Sequence, residues 1–227
     1  MQALIKVLCS AACAGALLLA GAAHANYPDR PVKLIVPYAP GGITDNLARA
    51  LAEGVSRELK QPIVVENKAG ASAMIGTGMV ANAPADGYTL LMASNGNMTV
   101  TPLVMKKLTY DPIKELRVIA IVGELPTVAV TNLQTPATDL RSFAAYAKAN
   151  DGKLNFASLG QGNVLYLTAR KIEGELGIRM TEVPYKGSAP SLTALMANDV
   201  QFYIDVLPGA LPFIQSGKLK ALAVPMS

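Results

Sequence analysis

The chain has 227 residues, 51% hydrophobic and 16% charged, which fits one or two globular domains and rules out a disordered or collagen-like chain. Its formal charge is +4, but the basic residues, such as Lys60, Lys68, Lys106, Lys107 and Arg117, are scattered and form no nucleic-acid stripe. One histidine and two cysteines leave little material for zinc clusters or for Ser-His and Cys-His catalysis.

Residues 1–25, MQALIKVLCSAACAGALLLAGAAHA, place Lys6 before a long apolar stretch and close on Ala23-His24-Ala25. This is the pattern of a cleaved export signal, with the cut after Ala25. A membrane anchor is the rival reading; Gly15, Gly21 and the alanine-rich end favour processing. A lipoprotein signal at Cys13 lacks the usual apolar residue three places earlier. The cut removes Cys9, Cys13 and His24, so the mature chain has neither thiol nor imidazole and a formal charge of +3. No integral membrane segment is expected after it, and export places the protein in the periplasm.

Val32 to Val36 reads as a buried strand. Thr44 to Leu59 reads as a helix, because Leu47, Leu51, Val55 and Leu59 recur every four residues beside Ala48 and Ala52. Ile63 to Glu66 is a second strand, Ser72 to Ala81 a second helix, and Tyr88 to Met92 a third strand after the Asp86-Gly87 turn. Strand and helix alternate as in a parallel α/β sheet with crossover helices. Leu116 to Val122 reads as a further strand, with Gly123 to Pro126 as a crossover to Thr127–Val130. The pattern then restarts. Helices are expected at Asp139–Ala149, Val164–Glu175, Ser188–Ala197 and Leu211–Gln215, and strands at Asn155–Ser158, Met180–Pro184, Val200–Val206 and Leu219–Val224. Two successive units imply an α/β protein of two lobes, at 26–124 and 125–222. Only three residues follow the last strand, so 223–227 is expected to be an interrupted return that leaves the first lobe incomplete.

The loops at strand ends carry the chemistry. Pro37 to Asp45 joins a strand to a helix through Tyr38, Ala39, Pro40, Gly41 and Gly42. Glycines admit a ligand to the backbone, and free N–H groups in the next helical turn favour an anion. Thr44 offers a hydroxyl. Asp45 either caps its own helix or receives an ammonium or a water. The bland alternative is a glycine turn with a self-capped helix. Neither this loop nor Gly76-Thr77-Gly78 has a nucleotide-binding pattern. Ser94-Asn95-Gly96-Asn97 follows a strand, and Ser158 to Asn163, with Gly160 and Gly162, repeats the arrangement in the second unit. Tyr185-Lys186-Gly187-Ser188 precedes another helix, and Lys186 is either a carboxylate partner or a solvated side chain. Asp205 sits at a strand end, as a ligand acceptor or a turn cap.

The stretches YPDRPVKLIVPYAPGGITD, VVENKAGASAMIGTGMVANAPADGYTLLMAS, NFASLGQGN, VPYKGSAPSLTALMANDVQFYID and GKLKALAV span Tyr27 to Val224. In this order they resemble the Bug family, the extracytoplasmic receptors of tripartite tricarboxylate transporters. The resemblance implies a Venus-flytrap, periplasmic-binding-protein fold and a receptor without catalysis or cofactor. It implies a small carboxylate ligand (dicarboxylate, tricarboxylate, acidic amino acid or aromatic carboxylate) and a membrane permease as partner, with no nucleic acid. By the same resemblance, the loop of Tyr38, Ala39, Pro40, Gly41, Gly42, Thr44 and Asp45 would hold a ligand carboxylate through backbone amides and ordered waters. Ser94 and Asn95 would line that lobe, Ser158, Gly160, Gly162, Asn163 and Tyr185 would oppose them, and Asp205 would lie near the distal end. Asn163 and Tyr166 stand where the family pattern G-x-G-S-x-x-H-L has Ser and His, which shifts the expected ligand preference. The pattern also continues past the last strand in the family. A binding-incompetent truncated relative is therefore the second expectation, and a secreted carboxylate-using enzyme the third.

Overall fold

The computed structural model describes residues 27–224. The export-signal reading and residues 225–227 of the expected return lie outside the described residues. The first lobe is built on β1 (Val32–Val36), β2 (Ile63–Asn67) and β3 (Thr89–Leu91), in the order β2-β1-β3 and wholly parallel. The crossovers are α1 (Ile43–Leu59) and α2 (Met74–Ala81). Ala48 and Ala52 of α1 are buried; with Leu34, Val36, Tyr38, Ala73 and Met92, Ala48 forms the core of this lobe. The small residues on the buried face let the helix lie close on the sheet.

After β3 the chain turns through one wide π-type turn (Gly96–Val100) into α3 (Thr101–Val104). The Ser94 to Asn97 segment is thus the mouth of a helix as well as a loop. The expected strand at Leu116 to Val122 is absent: this stretch joins neither sheet. Val118, Ile119 and Ile121 are largely exposed. Apolar, β-branched composition makes a strand only when a neighbour pairs its N–H and C=O groups, and no strand in the described residues lies beside it.

The second lobe contains β4 (Thr127–Asn132), α4 (Leu140–Ala149), β5 (Asn155–Ser158), α5 (Val164–Leu176), β6 (Thr181–Pro184), α6 (Ser188–Ala197), β7 (Phe202–Val206), α7 (Leu207–Gln215) and β8 (Leu219–Ala223). Its sheet order is β6-β5-β7-β4-β8, with β4 antiparallel to both neighbours and the β5 pairings parallel. The sheet is therefore mixed, since β4 enters against the direction of β5, β6 and β7. Alternation along β7 supplies both faces. Phe202 and Ile204 pack with Phe143 and Phe156 under α4 and α5, whereas Tyr203 packs with Val128, Val130 and Leu195 under α6 and α7. Asp205, two residues beyond Tyr203, points to this second face.

Candidate functional site

Sequence makes the glycine loop at 37–42 rigid in an unexpected way. Gly41 has φ +80, a conformation that favours glycine. Its N–H donates to Asp45 Oδ2 at 2.9 Å. Arg49 Nε donates to the same oxygen at 3.0 Å, and Asn67 Nδ2 donates to Asp45 Oδ1 at 2.9 Å. Asn67 Nδ2 also reaches the Tyr38 carbonyl at 3.1 Å. Burial pushes the Asp45 carboxyl up, but the bonds from Arg49, Gly41 and Asn67 outweigh it and hold it below the ordinary carboxylate value. The Asp45 carboxylate is thus engaged in bracing its own loop. Gly42 then caps α1 without a side-chain acceptor, which leaves first-turn N–H donors of that helix free.

Across from this loop stands the N-terminus of α6, capped by Gly187, again without a side-chain acceptor. The two lobes touch here. Ala39 N–H donates to Lys186 C=O at 2.8 Å. A Cβ on Gly187 would lie 3.1 Å from Ala39 Cβ, and one on Gly42 would lie 3.7 Å from the Ser188 nitrogen. Two helix N-termini, each with the positive end of its dipole forward, therefore converge on one place.

A second interlobe contact lies beyond it. Thr101 Oγ1 donates to Gly162 C=O at 2.9 Å, fully buried. Gly160, at φ +93, packs on Ser72. Ser72 lies in a run of three left-handed non-glycine residues: Ala71 at φ 48, Ser72 at φ 53 and Ala73 at φ 71. Each costs about 1–2 kcal/mol relative to the right-handed region, so the surroundings must impose this segment.

Polar side chains line the cleft between these contacts. The Tyr38 hydroxyl and Ser94 Oγ are 2.9 Å apart. Burial raises the Tyr38 pKa, opposed by hydrogen bonding from Ser94 and from Asn163 of the other lobe. Ser94 N–H and Oγ both donate to Asn97 Oδ1, whose Nδ2 donates to Thr77 Oγ1 at 2.7 Å. Asn163 is the N-cap of α5, its Oδ1 accepting from Leu165 N–H at 2.8 Å.

The structure brings Tyr38, Ala39, Gly42, Ser94, Gly160, Gly162 and Asn163 to the interlobe boundary. Pro40 and Asn95 are exposed, and Thr44 is half-buried in the first turn of α1. Ser158 turns back into its own lobe, donating to Glu182 Oε1 at 2.6 Å and accepting from Gly160 N–H. Tyr185 packs against the core under α6, where burial, with Asp199 adding, raises its pKa. Asp205 is 1% exposed and accepts from Ser188 Oγ at 2.6 Å. Sequence reasoning missed Ser72, Thr77 and Thr101. Their roles rest on contacts across long sequence separations, with no local motif to announce them. A polar groove of ≈ 370 Å³ opens at the opposite end of the second sheet, lined by Gln134, Asn150, Asn155, Asn198 and Gln201 among others. Several of its amides bond one another, which marks it as a structural staple. Among the described residues no His, Cys, Asp or Glu cluster suits a metal ion, and no helix is long and apolar enough to cross a membrane.

A family model described as the tripartite tricarboxylate transporter family receptor matches residues 47–227. A UPF0065 protein of Bordetella pertussis is 40% identical over 209 residues, covering 92% of this chain and 64% of that relative. The chain thus spans just under two thirds of that relative's length. MatC of Rhodopseudomonas palustris, solved with bound malate, superposes with a TM-score of 0.84 at 34% identity, over 88% of this chain and 68% of that one. A second R. palustris protein, solved with adipate, gives 0.85 at 32% identity, over 88% and 67%. The family match, the curated relative and a common two-lobed architecture agree, and the chain belongs to the Bug family of tripartite tricarboxylate transporter receptors.

Proposed function

We propose that the protein is an extracytoplasmic solute-binding receptor that captures a small carboxylate between its lobes, in the periplasm, for a membrane permease of the tripartite tricarboxylate type. The observation that carries this reading is the meeting of two glycine-capped helix N-termini, α1 and α6, at Gly42 and Gly187. Free N–H donors and the positive ends of two helix dipoles there favour a negative group. Tyr38, Ser94 and Asn163 supply neutral hydrogen-bonding groups beside it. The lobes are taken as residues 26–124 and 125–222, with Ala223 joining the second lobe through its pairing with Ala129. Ala39 to Gly42 and Thr44 face the carboxylate from the first lobe; Gly160, Gly162 and Asn163 face it from the second. Asp45, Ser158 and Asp205 act one step back, by holding those loops in place.

The malate and adipate in the two R. palustris structures support a dicarboxylate as the first class to test. Calorimetric unfolding of residues 26–227 with and without malate, adipate, citrate, glutamate and benzoate gives the test. A ligand that binds only the folded state at about a hundred times its Kd raises stability by about 2.7 kcal/mol. A cooperative transition moved upward by one class supports the reading and names the chemistry. A cooperative transition that no carboxylate moves removes it and favours a binding-incompetent relative.

A further inference from the structure

Among the described residues, two buried side-chain polar atoms have no hydrogen-bond partner: the Tyr203 hydroxyl and Asp205 Oδ1. Both belong to β7, two residues apart, and so share the face turned toward α6 and α7. Tyr203 is 0% and Asp205 1% exposed. Buried groups left unpaired are costly and rare, so two in one place require an explanation.

Their surroundings give one. Asp205 Oδ2 accepts from Ser188 Oγ at 2.6 Å. Ser188 is the first residue of α6, and its nitrogen abuts Gly42 of the opposite lobe. Ser191 Oγ donates to the Gly187 carbonyl at 2.9 Å, and Gly187 packs on Ala39. The unpaired atoms therefore sit directly behind the helix end that meets the first-lobe loop. We propose that Asp205 and Tyr203 form a proton-dependent support for the carboxylate site, Asp205 positioning Ser188 and its negative charge opposing a bound anion until it takes a proton from solvent.

The charge environment is sparse. Tyr203 is the titratable neighbour on β7. The facing elements α6, α7, β4 and β5 present Ser188, Ser191, Gly209, Val128 and Ala157 and carry no ionisable side chain along their lengths. Lys186, before α6, is exposed, and Asp45, in the opposite lobe, is paired with Arg49. Burial raises the Asp205 pKa to about 6, opposed by the Ser188 bond and then by the nearby Val206 N–H and Tyr203 hydroxyl, neither of which completes a hydrogen bond to it. Burial, with Asp205 adding, raises Tyr203 well above its ordinary value, so the phenol stays neutral and able to donate. An anion at the α6 N-terminus raises the Asp205 pKa further. Binding then takes up a proton, and affinity strengthens as pH falls toward 6.

This inference rests on the carboxylate reading, and one experiment separates the two. The wild-type chain and D205N are titrated by NMR between about pH 8 and about pH 4.5, following the Asp205 carboxyl carbon and the Ser188 amide, with malate affinity measured calorimetrically. The expected result is an Asp205 midpoint near 6 that the Ser188 amide follows. Malate should shift it upward and bind about tenfold more tightly at the acid end, a coupling of ordinary size. In D205N the amide step and the tenfold gain both vanish, and the titration of malate itself cancels in the comparison. An Asp205 midpoint in the ordinary carboxyl range, or a Ser188 amide blind to it, overturns the proposal, as does an unchanged pH profile in D205N. Should none of malate, adipate, citrate, glutamate and benzoate bind at any pH, the receptor reading fails. The Asp205 and Ser188 titrations still decide the support role. Y203F, which keeps the carboxylate and removes its phenol neighbour, should raise the midpoint and serves if D205N does not fold.

Discussion

Replacing Gly162 by alanine wedges the lobes apart without straining either. Gly162 does not have the positive φ that disfavours a side chain, and the three atoms nearest its added Cβ all belong to the first lobe. They are Thr101 Oγ1 at 2.5 Å, Thr101 Cβ at 3.2 Å and Ser72 Cβ at 3.3 Å. The first is too close for any real contact, so Thr101 must move and release the buried bond to the Gly162 carbonyl. Overpacking costs about 1–3 kcal/mol, and the lost bond about 1 kcal/mol. Closure should therefore weaken by about 2–4 kcal/mol, or about 30- to 1,000-fold in the affinity of a ligand that needs the closed form. Small-angle scattering should show a larger radius of gyration for G162A, and calorimetry with malate the loss of affinity. T101A alone should cost about 1 kcal/mol. The double variant should resemble T101A instead of summing both losses, because one clash and one bond share the same hydroxyl. Additive losses, or a G162A protein with wild-type scattering and affinity, would refute the closed geometry.

Other perturbations bear on the loops behind the cleft. The Asp205 pKa, about 6 in the folded chain against an ordinary 3.8, means that the folded state holds this proton more tightly. Its contribution is fully present below 3.8 and is lost as pH rises through about 6. At about 1.36 kcal/mol per pH unit, the loss approaches roughly 3 kcal/mol, and chemical unfolding of wild type against D205N should trace it. Asp45 has the opposite sign. Its lowered pKa makes its contribution present above 3.8 and lost at lower pH, so the stability gap between wild type and D45N should narrow on acidification. At neutral pH, D45N should cost about 1–3 kcal/mol, because Gly41, Arg49 and Asn67 lose a charged acceptor. A71G should stabilise the chain by about 0.5–1 kcal/mol, the relief of a left-handed alanine less the entropy of glycine, read as an upward shift in Tm.

The sequence made local order readable where one pattern carried it. Leu47, Leu51 and Val55, with Ala48 and Ala52, announced α1, and VKLIV announced β1, because one buried face needs only its own chain to be recognised. Leu116 to Val122 failed for a related reason: its composition is that of a strand, but a strand exists only with a partner, and composition does not name one. The glycine loops were visible at Pro40-Gly41-Gly42 and at Gly160 and Gly162. The contacts that give them meaning, Ser72 on Gly160 and Thr101 on Gly162, join residues far apart in sequence. Asp45 and Ser158 had the right chemistry for a ligand, but their geometry directs them to Gly41, Arg49, Asn67 and Glu182. Charge type could be read from sequence, whereas the direction of the side chain could not.

Among the described residues, two hydrogen bonds between the lobes end on main chain, Ala39 N–H on Lys186 C=O and Thr101 Oγ1 on Gly162 C=O. A backbone atom survives most substitutions, so the main-chain ends of this grip are insulated from drift in the side chains that line the cleft. Each bond contributes about 0.5–1.5 kcal/mol net, too little to lock the cleft and enough to bias it. On the proposed receptor reading, recognition can therefore be rewritten at cleft positions such as Ser94 while these two bonds are inherited unchanged, and so weak a clasp would also release a captured solute.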